Sequence, residues 1–118
     1  MSGLSTTWNI EGRIIYLQDV IYFLNNKNRK IITTPAIELK KKLSREITGI
    51  EKHRVSRADI TTPIIVEVDR KSNKPVVVLD GNHRLTKAAK HNSDIKMRVL
   101  YSDERDLLFD ELLFMVTH

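Results

Sequence analysis

Val76–Ala89, VVVLDGNHRLTKAA, decides how this chain is read. Pro75–Leu79 is a continuous β-branched and aliphatic run, the composition of a strand buried on both faces. Asp80–Asn82 follows as a tight turn built on Gly81, and from His83 the residues become helical as far as about Lys90. Where a strand enters a glycine turn and leaves as a helix, unpaired N–H groups with partial positive charge converge at one point. Gly81 removes the side chain at the bend, so a ligand can approach the backbone. Arg84 brings a planar fork that matches phosphate oxygens. His83 brings an imidazole that can donate to phosphate or act as acid or base near neutral pH. These features predict an anion site. The same residues also suit a plain capped turn, with Asp80 capping the helix and His83 and Arg84 facing water.

Outward from this segment, Thr61–Asp69 reads as a strand with Pro63 at its beginning, where a missing N–H does least harm. It pairs with Pro75–Leu79 as a hairpin through the turn Arg70–Lys74. Ile95–Tyr101 is the next strand. Glu104–Thr117 has apolar residues around much of its circumference, which suits either a core helix or a homodimer interface. Upstream, Thr33–Ile47 is the clearest helix: Thr34 as N-cap, Pro35 at the first helical position, Glu38 in the first turn, and Ile37, Leu39, Leu43 and Ile47 as an apolar stripe. Trp8–Leu17 reads as a strand or extended entry segment, Asp19 starts a short helix through Leu24, and Glu51–Asp59 reads as a polar loop. The pattern predicts one α+β or mixed α/β domain over residues 1–118.

A length of 118 residues fits one domain and leaves no room for a catalytic domain beside a separate recognition domain. The absence of cysteine excludes disulfides, thiolate metal sites and cysteine nucleophiles. The first residues lack a secretory pattern, and no apolar run approaches the roughly 20 residues a membrane span needs, so a soluble, cytoplasmic protein with no membrane partner is expected. The net charge of +5 favours phosphate-bearing partners, whether nucleotides or a nucleic-acid backbone. Neither a P-loop nor a dinucleotide fingerprint occurs, and the spacing of His53, His83, His91 and His118 does not suit zinc. Glu67 and Asp69 alternate along one strand and read as a solvated face rather than a metal pair.

The turn Gly81-Asn82-His83-Arg84, followed by Ala88-Ala89, resembles the signature of the ParB/sulfiredoxin-like superfamily, and Asp80–Arg84 is similar to the corresponding turn of ParB-like free serine kinases. Thr62–Val66 resembles the family's strand that pairs with the signature strand, and Pro35–Ile47 its upstream helix. The resemblance covers about residues 31–101 and implies a nucleotide cradle, with Gly81, Asn82, His83 and Arg84 holding phosphates and polar residues of the upstream helix completing it. Lys40 and Ser44, four apart, are the candidates there. Asn82 stands where sulfiredoxins carry cysteine, which rules out peroxiredoxin repair, and Ser102–His118 leaves little room for the helix-turn-helix domain of partition proteins.

The expected activity is therefore NTP hydrolysis or phosphoryl transfer. ATP or another NTP is the cofactor, Mg²⁺ its usual companion, and Asp80 and His83 the catalytic candidates, Asp80 as metal ligand or base. Two competing expectations use the same turn. In one, a nuclease or non-sequence-specific nucleic-acid binder grips backbone phosphate with help from Lys27, Arg29, Lys30 and Lys40–Lys42. In the other, a regulatory or interaction protein keeps the fold without chemistry.

Overall fold

The computed structural model describes residues 7–10 and 13–108. A hairpin of β1 (Thr7–Ile10) and β2 (Arg13–Tyr16) leads into α1 (Leu17–Asn26). Next come β3 (Ile32–Pro35), α2 (Ala36–Lys42) and α3 (Lys52–Arg57). The second half runs β4 (Ile64–Asp69), β5 (Lys74–Asp80), α4 (Asn82–Lys90) and β6 (Asp94–Tyr101). The backbone is helical again over 102–108.

A four-stranded mixed sheet of order β3-β6-β4-β5 organises the chain. β4 and β5 form the expected hairpin, β6 lies parallel to β4, and β3 closes the other edge antiparallel to β6. Alternation sorts side chains into two cores. Ile64, Val66 and Val68 of β4, Val78 of β5, and Ile95, Met97 and Val99 of β6 face α2 and α4, meeting Ala36, Leu39, Leu85 and Ala88. Ile65, Leu79 and Leu100 face the other way and meet Leu17, Val20, Phe23 and Leu24 of α1, with Ile15 and Leu108. The α+β expectation holds, as helices on both faces of a small mixed sheet.

Several expected boundaries move, each for a physical reason. The helix predicted over Thr33–Ile47 is confined to Ala36–Lys42. Thr34 belongs to β3 opposite Ile95, so it is not a cap, and Pro35 is the N-cap residue rather than the first helical one. Leu43 turns extended, and the next two amides bond the outer edge of β5, Ser44 N to Pro75 O at 3.2 Å and Arg45 N to Val76 O at 2.9 Å. The edge strand's open carbonyls thus outcompete another helical turn. Leu43 and Ile47 still reach the core, but from extended chain. β5 is an edge strand in the sheet order, with Val76 and Val77 only half-buried, whereas β4 is the strand buried on both faces. Within Trp8–Leu17 the chain holds two antiparallel strands, β1 and β2, and Leu17 opens α1. Glu51–Asp59, read as loop, holds α3, whose one buried side chain, Val55, gives no periodicity to detect.

Glu67 is a correction of another kind. It is 3% exposed, not a solvated face: Ser102 Oγ donates to it at 2.7 Å and Arg105 Nη1 at 3.1 Å. Asp69 accepts from Ser72 Oγ and Ser72 N in the β4–β5 turn, so the two carboxylates serve separate structural tasks. Of the C-terminal segment proposed as a dimer interface, residues 109–117 lie outside the described residues.

Candidate functional site

β5 delivers Asp80 beside Ile65, and the chain turns at Gly81 into α4. Gly81 is the N-cap residue of α4, at φ +106°, a left-handed conformation that disfavours any residue with a Cβ. A Cβ there would also lie 2.8 Å from Ile64 Cβ. The missing side chain therefore lets the turn press onto β4, a packing reason beside the ligand-approach reason read from the sequence. No side chain caps α4, and its backbone ladder begins with Leu85 N donating to Gly81 O at 2.9 Å. The first-turn N–H groups of Asn82, His83 and Arg84 are thus uncapped, at the rim of a cleft of about 760 Å³.

That cleft is lined by the whole Asp80–Arg84 turn, together with Thr48, Gly49, His53, Arg54, Arg57 and Thr62. Arg84 does not hang free in it. Its Nη2 donates to Asp80 Oδ2 at 2.9 Å and its Nη1 to Pro63 O at 3.1 Å. The pair fastens the turn to the start of β4, so Asp80 is neither a helix cap nor an unengaged base. Asp59 is similarly occupied: Thr61 N and Oγ1 donate to one oxygen and Thr62 Oγ1 to the other, holding its carboxyl below the usual range.

His83 points the other way, toward α3. Glu51 N donates to its Nε2 at 3.2 Å, which makes Nε2 the unprotonated nitrogen. Burial, and then the nearby Arg54 charge, lower its pKa, so it is neutral at pH 7. Its Nε2 is an acceptor here, which leaves Nδ1–H as the ring's one donor. The cationic role passes to Arg54 and Arg57, three apart on α3 and so on one face. Neither is in an ion pair among the described residues. The sequence reading missed both, although their spacing within EKHRVSR would have shown them had the segment been read as a helix. His53 also lines the cleft, 3.4 Å from Glu51.

Lys40 and Ser44 do not join this site. Lys40 lines a second groove of about 770 Å³ with Ile37, Ile47, Ile50 and Lys90, while Ser44 lies past α2 on the edge of β5. The basic residues named for nucleic acid are divided between layers. Arg29 donates to both carboxylate oxygens of Glu104 beyond α1, and Lys27 sits 5.6 Å above the Phe23 ring, whereas Lys40–Lys42 end α2 on the opposite face. Among the described residues no cluster of three or more acidic or histidine side chains could hold a metal ion, and no helix is long and apolar enough to cross a membrane. The chain matches no protein-family model, no curated protein and no solved structure.

Proposed function

We propose that this chain is a nucleotide-binding domain of the ParB/sulfiredoxin-like kind, which takes the phosphates of ATP or another NTP at the start of α4 and hydrolyses or transfers one of them. The observation that carries this reading is the convergence of three uncapped first-turn amides with Arg54 and Arg57 on one cleft of about 760 Å³. A volume of this size suits a small polar ligand, and amides at a helix start favour anions. Within it the amides of Asn82, His83 and Arg84 and the two α3 arginines bind phosphate, while the Asp80–Arg84 pair keeps the bend in shape. His83 Nε2 is occupied by Glu51 N, so the imidazole holds the site's shape and is not a free base. With Asp80 spent on Arg84, the described residues do not form a dedicated Mg²⁺ cage, and any Mg²⁺ would come with the nucleotide phosphates as part of the substrate. The reading places the protein in the cytoplasm, where NTPs are abundant.

Calorimetric titration with ATP, paired with phosphate-release kinetics, tests this. Binding is expected for the parent chain, with about a hundredfold weaker affinity in Arg54→Ala/Arg57→Ala, roughly tenfold for each lost charge-assisted contact. His83→Ala, which removes the acceptor of Glu51 N, should weaken affinity as well as turnover. Absence of binding at millimolar ATP would overturn the proposal.

A further inference from the structure

Between Leu43 and Pro63 only Val55 is buried, so packing alone gives α3 little to hold its position. Hydrogen bonds from one face of α4 supply the rest. At the start of α3, His83 Nε2 accepts from Glu51 N at 3.2 Å. At its end, Lys87 Nζ donates to Ser56 O and Ala58 O, each at 2.9 Å. A cation on the last carbonyls of a helix satisfies acceptors that the helix itself cannot and suits the negative end of its dipole. His83 and Lys87 are four residues apart, so one stripe of α4 holds both ends of α3. Lys87 itself is not part of the cleft lining, whereas Arg54 and Arg57 between the two fastenings are.

We propose that His83 and Lys87 are positioning residues that latch α3 onto α4, and that this latch aims Arg54 and Arg57 at an oligophosphate seated in the cleft; the second half rests on the nucleotide-phosphate reading above. The spacing leads to this division of labour. Long arginine side chains on a helix of 6 residues lose their aim if that helix pivots, and the flanking chain permits a pivot at Gly49, φ +68° with open space around it. On the other side, Asp59 fixes a short turn with Thr61 and Thr62 and sets the far end of the swing. Lys87 then contributes to ligand affinity without touching ligand.

The test uses inorganic tripolyphosphate as probe and Lys87→Met as the main variant, with Lys90→Met removing an equal charge from the same helix as control. Lys87→Met should weaken binding about tenfold, Lys90→Met less than twofold, and Lys87→Arg should restore it. In an Arg54→Ala/Arg57→Ala background, Lys87→Met should cost nothing further, which a general loss of stability would not reproduce. Without any ligand, amide hydrogen exchange over 52–58 should be about tenfold faster in Lys87→Met. Unchanged exchange overturns the latch. Faster exchange with unchanged affinity overturns the aiming of the arginines. If the parent chain binds no tripolyphosphate, the nucleotide reading and the aiming fall together, and the exchange result alone decides the latch.

Discussion

Gly81 carries two demands at once: a positive φ of +106° and contact with Ile64 closer than a Cβ permits. The left-handed backbone costs a residue with a Cβ about 1 to 2 kcal/mol, and forced overlap in a packed site adds about 1 to 3. Gly81→Ala is therefore expected to lower stability by about 3 kcal/mol in urea denaturation. Gly49 has φ +68° with nothing within 4 Å, so Gly49→Ala isolates the backbone part and should cost about 1 kcal/mol. Equal losses at the two positions would show that Ile64 yields, and that Gly81 is kept for its conformation alone. The sequence shows that a glycine turn stands at this point. It does not show which neighbour the missing Cβ makes room for, because Ile64 lies on a different strand.

At the scale of elements, Glu67 illustrates what local pattern conceals. Alternation along β4 correctly separates it from Val66 and Val68, but whether that face is wet depends on the 102–108 segment, which brings Ser102 and Arg105 onto it. Removing one partner of a buried ion pair leaves the other uncompensated, at about 3 to 5 kcal/mol; Arg105 keeps some exposure, so about 3 kcal/mol is expected for Glu67→Leu. The double variant Glu67→Leu/Arg105→Leu should recover most of that loss, and a denaturant double-mutant cycle checks it. Additive losses would mean that the pair is not coupled. The strongly periodic or continuous runs were legible for the same reason that they are stable: β4, β5, α4 and β6 each hold enough apolar residues to bury a face. What escaped was set by distant partners. α2 ends early because β5 has an unpaired edge, and α3 is held by His83 and Lys87 rather than by an apolar stripe. The site divides along the same line. The turn itself was legible, but Arg84 is engaged internally and the cleft's other arginines, Arg54 and Arg57, come from a helix with almost no hydrophobic signal.

For the molecule as a whole, these local shifts add up to a stability profile with a definite sign. Asp59, Asp69 and Asp103 are held below the usual carboxylate range by hydrogen bonds from Thr61, Ser72 and Arg70 respectively. Their contribution is present above the unfolded carboxylate pKa of about 4 and is lost as pH falls through the lower folded values. His83 is also lowered, by burial and then by Arg54. For a histidine, a lowered value means that the unfolded chain takes up the proton first, so stability falls as pH drops below the unfolded value of about 6.5. Losing carboxylate charge from a chain already at +5 adds self-repulsion to the lower limb. Urea denaturation between about pH 3.5 and pH 8 should thus show two descents on acidification, one starting near 6.5 and a steeper one below about 4. His83→Gln, whose side-chain oxygen can still accept the Glu51 N–H, should remove the upper descent and leave the lower. A parent chain that gains stability between pH 7 and pH 5 would mean that folded His83 binds a proton more readily than the unfolded residue, contrary to its acceptor role at Glu51 N.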